Sequence, residues 1–201
     1  GNVQLTDSAK YAESDSLFIN RKKKLTRLFN NIFVADSVNN SILQGNYLEA
    51  DSTGRRYIDG NAYLRRISAD TTDTTHIFAN EILLQEKDST TFIDAYTKVK
   101  VWSQKFSSLS DTLLYNSRDE LFQLREKPKA WHKQIQLTGP FISVQLDSSS
   151  VKQLTSYYKT IAVQEDSATG RLNQIKGDTL IADFTNGDIS QITVYPNSEI
   201  L

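Results

Sequence analysis

Two histidines, His76 and His132, are the only imidazoles in the chain, and chemistry that uses such a pair requires them to converge. A zinc site builds on spacings such as His-x-x-x-His, and neither residue stands in one. Cysteine is absent, which removes thiolate ligands, thiol nucleophiles and disulfides together. No Gly-x-Ser-x-Gly elbow and no Gly-x-x-x-x-Gly-Lys phosphate loop occurs. Carboxylates are frequent, and a facing pair would serve glycoside hydrolysis. They recur, however, as Asp36-Ser, Asp51-Ser, Asp88-Ser, Asp111-Thr, Asp147-Ser and Asp166-Ser, each in a polar stretch next to an apolar run. That dipeptide is what tight turns use to bond their own backbone. No Asp-x-Asp-x-Asp loop offers a calcium site. The run Arg21-Lys22-Lys23-Lys24 has the charge to hold phosphates, but it also suits a solvated turn that guards a sheet edge. No catalytic residue, metal site or cofactor is assigned, and the chain reads as a non-enzyme.

The elements that would have to position any site are β-strands, and one pair of stretches defines them. Phe141–Tyr157 and Thr179–Tyr195 align without a gap at an offset of 38, as Ile142 with Leu180 shows. Val144 then meets Ala182, Leu146 meets Phe184, Val151 meets Ile189 and Leu154 meets Ile192. The polar Asp147–Ser150 falls on Thr185–Asp188. Each copy reads as strand, tight turn, strand, and a repeat with period-two alternation predicts stacked hairpins. Val151 and Leu154 fall on opposite faces unless a bulge intervenes. Residues 106–124 echo the pattern with one extra residue, for which a bulge is the expected remedy.

The rest of the chain agrees. Residues 3–11, 31–38, 42–50, 56–67, 76–85 and 91–102 read as strands, and 159–164 as another. In 91–102, Ile93, Ala95, Thr97, Val99 and Val101 would share one face. Turn signals fall at 51–54, 69–75, 86–89, 116–119 and 166–170. Only 16–30 and 117–125 admit a helix, and strands serve them as well. Hydrophobic residues are 38% of 201, low for a compact globule, so a thin, extended sheet structure fits better. The net charge of −1 argues against a nucleic-acid partner. No apolar run approaches a membrane-spanning helix of about 18 residues. Gly1-Asn2-Val3 resembles Gly45-Asn46-Tyr47 and Gly60-Asn61-Ala62, so the sequence is expected to begin inside a longer protein whose targeting segment is absent. A single domain over 1–201 is expected, with Lys127-Pro128 as the best place for a break.

Several stretches carry a family likeness: Asp36–Tyr47, Tyr57–Ala62, Ala79–Leu84, Ala95–Val101, Ser110–Tyr115, Lys127–Trp131 with Gln136–Gly139, and Leu172–Gly177. In this order and spacing the chain resembles the OstA-like proteins of Bacteroidetes-type bacteria, relatives of the LptA lipopolysaccharide-transport proteins. It departs from their pattern at Pro140, where an acidic residue is usual, and at Lys129 and Ala130, where apolar residues are usual.

The resemblance implies an all-β, elongated β-jelly-roll (a β-taco) of stacked short antiparallel strands, V-shaped, with an apolar interior. It also implies a periplasmic role in carrying lipopolysaccharide toward the outer membrane. Lipid A and other lipopolysaccharide-transport components are the implied partners, with head-to-tail self-association through edge strands. The residues placed to wall a lipid groove are Val99, Val101, Leu113, Ile142, Val144, Leu146, Leu180, Ala182 and Phe184. The alternative is that these residues pack on one another as the dry core of a structural or adhesive β-solenoid. No catalytic residue comes with the resemblance.

Overall fold

Almost every long strand is interrupted at its middle, and the interruptions line up. The computed structural model describes residues 2–67, 73–104, 106–147, 150–165 and 169–200. Among them lie seventeen strands in one sheet. In chain order they are β1 (Val3–Thr6), β2 (Lys10–Ser14), β3 (Ser16–Asn20), β4 (Leu25–Asp36), β5 (Ser41–Ala50) and β6 (Arg55–Ile67). Next come β7 (Thr74–Lys87), β8 (Thr90–Trp102), β9 (Ser107–Asn116), β10 (Leu121–Arg125), β11 (Lys129–His132) and β12 (Ile135–Thr138). The last are β13 (Phe141–Asp147), β14 (Ser150–Glu165), β15 (Leu172–Thr185), β16 (Asp188–Tyr195) and β17 (Glu199–Ile200). Every pairing is antiparallel, and β4 to β9 follow one another as hairpins.

Pairing skips two residues on each long strand: between Phe29 and Ile32, Gln44 and Tyr47, Asp59 and Ala62, Phe78 and Glu81, Tyr96 and Val99, and Tyr157 and Thr160. At other levels the chain breaks into two short strands there. β2 and β3 occupy the two halves of β4, while β10 and β11 both pair with β9. β12 and β13 likewise share β14, and β16 and β17 share β15. The backbone turns left-handed at Asn30-Asn31, Gly60-Asn61, Thr97-Lys98, Glu126-Lys127 and Tyr158-Lys159. Glycine and asparagine reach that region at little cost, which accounts for the first two pairs. The sheet is therefore creased along one line and folds back on itself. The two half-sheets bury facing apolar sides, which is the elongated jelly-roll expected.

Pairing in register turns the apolar residues into ladders across the strands. One ladder on the first half-sheet runs Leu28, Leu48, Ile58, Ile82, Ala95, Leu113, Leu124, Ile142, Ser156, Leu180. On the second half-sheet Leu43, Leu64, Ile77, Val101, Ser108, Ala130, Leu137 and Ala162 form its counterpart. Both ladders are buried and belong to one core, apart from the buried hydroxyls of Ser108 and Ser156. At about 4.8 Å per strand the stack is on the order of 50 Å long.

Both helix-compatible stretches are strands: 16–30 forms β3, the turn at Arg21–Lys24 and the start of β4, and 121–125 is β10. Three expectations need correction. Thr97 does not share the buried face with Ile93, Ala95, Val99 and Val101, because it sits in the crease with φ 63° and is exposed. The echo at 106–124 contains no bulge. β9 and β10 pair without a shift, so Phe122 and Leu124 face inward and the four-residue turn at 117–120 absorbs the extra length. Residues 3–11 form two strands, β1 and part of β2, that pair with each other. The turns at 69–75, 147–150 and 166–170 lie partly outside the described residues.

The bulge needed by Val151 and Leu154 is present, at Gln145/Leu146. It aligns Leu146 with Val151 and Val144 with Leu154, and both partners on β14 are buried. β15 and β16 shift at the matching place, Asp183/Phe184, and align Phe184 with Ile189 and Ala182 with Ile192. The two stretches at offset 38 thus share one register, including the extra residue, Lys152 or Ser190, that each carries.

Candidate functional site: an apolar interior with a closed mouth

The candidate site is the space between the half-sheets. Val99, Val101, Leu113, Ile142, Val144, Leu180, Ala182 and Phe184 are all buried in the single core, and Leu146 packs against it half-buried. Leu113, Ile142 and Leu180 stand in one ladder, Val144 and Ala182 in the next one outward, and Leu146 and Phe184 beyond that. Val99 and Val101 face them from the other half-sheet. All nine candidates are thus on the inner face. They are also in contact with protein, since the interior is filled by its own side chains.

Opposite the crease, the free rims of the half-sheets meet at several places that sequence reading missed. Arg56 at the start of β6 reaches Asp36 at the end of β4, Nη2 to Oδ2 at 3.2 Å, and lies 3.4 Å from Glu86. Asp36 is only 3% exposed. Burial works against its charge, yet hydrogen bonds from Asn39 and the charges of Lys10 and Arg56 outweigh that, so its carboxyl titrates below the usual range. Further along, Phe106 meets Phe122 edge-on, ring centres 5.1 Å apart, and Phe122 stacks on Tyr115. Burial pushes the Tyr115 phenol up, and the positive charge of Arg66 from the opposite half-sheet works against that shift.

At the far end, His132 packs edge-on against Phe184, and its Nε2 lies 3.3 Å from the carbonyl oxygen of Gly187. Beside it Lys133 pairs with Asp188, which holds that carboxyl below its ordinary value. These closures are polar or aromatic side-chain contacts, whereas the crease is continuous backbone. Any separation of the half-sheets would therefore start at the mouth.

The residues first weighed for chemistry resolve separately. His76 is on the outer face, its Nδ1 2.8 Å from the Tyr63 hydroxyl and its ring 5.1 Å from that of Trp102. His132 is at the mouth, so the two imidazoles do not meet. Among the described residues no three His, Asp or Glu side chains group to hold a metal. Asp51 accepts hydrogen bonds from the Thr53 backbone N–H and hydroxyl, and Asp36 accepts from the Val38 and Asn39 backbone N–H groups, as turn residues do. Arg21–Lys24 is an exposed turn whose Lys23 N–H donates to Asn20 Oδ1.

No family model and no curated protein matches this chain. Among solved structures it is similar to the crystal structure of LptH from Pseudomonas aeruginosa, described as the LptA homologous periplasmic component of the conserved lipopolysaccharide transport device. The identity is 12% and the TM-score 0.38, over 82% of this chain and 92% of that one.

Proposed function

We propose that this protein is a non-enzymatic, periplasmic carrier that binds lipopolysaccharide through lipid A and passes it toward the outer membrane, with acyl chains held between the half-sheets. The observation that carries this reading is a largely apolar interior that runs the length of the stack behind a mouth closed by side-chain contacts. An acyl chain gains about 0.8 kcal/mol per methylene removed from water, so a twelve-carbon chain with roughly ten methylenes gains on the order of 8 kcal/mol. That is enough to replace part of the side-chain packing and the few contacts at the mouth. Four buried hydroxyls, of Ser41, Ser108, Ser110 and Thr160, have no hydrogen-bond partner among the described residues. Such groups weaken a core that exists only to pack, and they favour an interior that opens. The terminal strands β1 and β3 at one end and β16 and β17 at the other each pair on one side only, which suits head-to-tail self-association or docking to other transport components.

A second reading has its own observation: the inner residues already bury one another, as in a structural solenoid with no ligand. Photo-crosslinking decides between them. A photoreactive residue at Val144 or Phe184 is expected to capture lipopolysaccharide, and absence of an adduct at every inner position would overturn the carrier. A bis-maleimide linking cysteines placed at Lys133 and Asp188 should abolish capture until the linker is cleaved. Light scattering against concentration tests the end-to-end contact, which a strictly monomeric protein would exclude.

A further inference from the structure

Five left-handed residue pairs mark the crease, and their composition changes along it. The pairs on β4 and β6 are Asn30-Asn31 and Gly60-Asn61, which take this backbone readily. The next three are Thr97-Lys98 on β8, Glu126-Lys127 between β10 and β11, and Tyr158-Lys159 on β14. These positions fall on alternate levels of the stack, so Lys98, Lys127 and Lys159 follow one another along the ridge at roughly 10 Å intervals. Gly or Asn would take that backbone at lower cost. A lysine in left-handed backbone is strained, and such strain gathers where a side chain has work to do. All three lysines are exposed, and none makes an ion pair among the described residues.

The same ridge holds a surface depression of about 960 Å³ between the creases of β10–β11, β12–β13 and β14. Lys127, Lys129, Lys159 and Arg125 rim it, with Glu126 as the single acidic member, and Phe141 and Tyr158 supply apolar surface. Arg125 lies over the Phe141 ring at 5.7 Å, and Tyr158 is 71% exposed. Asp15, Asp111 and Asp178 are carboxylates that share the crease on intervening levels; Asn31 donates to Asp15 and the Lys98 backbone N–H to Asp111.

We propose that this ridge docks on an anionic phospholipid bilayer, with Lys98, Lys127, Lys129, Lys159 and Arg125 on headgroup phosphates and Tyr158 at the interfacial layer. Cations spaced along a ridge cannot converge on one phosphate, whereas a plane of headgroups meets them all. An exposed tyrosine beside them is the side chain that a membrane interface favours. A nucleic acid also presents a row of phosphates, but the exposed Tyr158 and the apolar surface beside these cations suit the interfacial layer of a bilayer. The inference stands on the ridge alone and does not depend on whether the interior takes a lipid.

The test is flotation of the whole protein with phosphatidylglycerol-containing and with pure phosphatidylcholine vesicles. The wild type should float only with the anionic vesicles. Each basic residue near such a surface is worth roughly fivefold in partitioning, so Lys98→Asn/Lys127→Asn/Lys159→Asn should bind about a hundredfold more weakly. The same variant should be at least as resistant to urea, because Asn fits left-handed backbone better, so lost docking cannot be blamed on lost folding. Lys22→Asn/Lys23→Asn/Lys24→Asn removes equal charge from the exposed turn and should bind nearly as wild type. Tyr158→Trp should show a blue-shifted emission on anionic vesicles.

Wild-type flotation by the ridge variant, or an equal loss in the turn variant, would overturn the proposal. So would displacement by inorganic phosphate beyond that by chloride at matched ionic strength, which marks a small-anion site. Tighter binding to an oligonucleotide than to vesicles would overturn it as well.

Discussion

His132 and Phe184 meet with ring centres 4.6 Å apart, although they belong to opposite halves of a creased sheet. Fifty-two residues and the whole depth of the fold separate them along the chain, as the difference between 184 and 132 shows. The contact therefore reports whether the mouth is closed at this end.

The contact yields a coupling that can be measured. Phe184→Ala removes a buried ring and should cost about 3 kcal/mol. His132→Ala should cost less, about 1–2 kcal/mol, in the ordinary range for losing a packed polar side chain. The double variant should lose about 1 kcal/mol less than the sum, the share that an edge-on aromatic pair contributes beyond burial. Urea unfolding of the four proteins checks this, and strict additivity would mean that the rings do not hold the mouth.

The closure at the other end should depend on pH. The Asp36 carboxyl titrates below the ordinary aspartate value of about 3.9, so its stabilising effect is fully present above that value. It fades as pH falls and is gone once pH is below the folded-state pKa. Asp36→Asn should cost on the order of 2 kcal/mol at pH 7, the usual worth of hydrogen bonds to a charged group. The stability curves of Asp36→Asn and wild type should then converge in acid, below about pH 4. A gap that persists at pH 2 would show that the aspartate acts through shape rather than charge.

Strand order was legible because alternation and Asp-Ser turns are local, and residues 139–195 showed even where a bulge was needed. The crease was not legible. Thr97 continues the apolar alternation of Ile93, Ala95, Val99 and Val101, and nothing in its identity announces a left-handed backbone. Only Gly60-Asn61 and Asn30-Asn31 carry that signal, and between Thr97 and Lys159 it is replaced by lysines. The inner wall was legible only as a set of candidates, because alternation alone does not say which face turns inward; in the structure all nine lie on the inner side. Its state was not legible, because whether Leu113 or Val144 meets a ligand or a neighbour depends on the separation of two half-sheets. That separation is set by contacts such as Asp36 with Arg56, which are remote in sequence.

The crease also makes a steric prediction. Gly139 has its backbone against Ser156, where an added Cβ would collide with the Ser156 Oγ. Gly177 stands in the same relation to Val194, at the same offset of 38. Gly139→Ala should cost about 2 kcal/mol through overpacking. Adding Ser156→Ala removes the opposing oxygen and should recover roughly half of that loss. Denaturation midpoints of the single and double variants provide the check, and the idea fails if Ser156→Ala does nothing to Gly139→Ala.

The unpaired hydroxyl of Thr160 connects stability with uptake. Thr160 is 1% exposed, faces Gly177 across β14 and β15, and its Oγ1 has no partner among the described residues. Valine has nearly the same shape without the polar atom, so Thr160→Val should raise stability by about 1 kcal/mol. If acyl chains bind by parting the half-sheets, they bind the opened form, and anything that favours the closed packing opposes them. A gain of about 1.4 kcal/mol specific to the closed form would weaken binding tenfold, and a smaller gain would weaken it in proportion. Thr160→Val should therefore melt higher and bind a fluorescent fatty-acid probe several-fold more weakly. Higher stability with unchanged probe binding would separate the interior from the binding site. Lower stability would show that the hydroxyl is already served, and that the interior is settled as it stands.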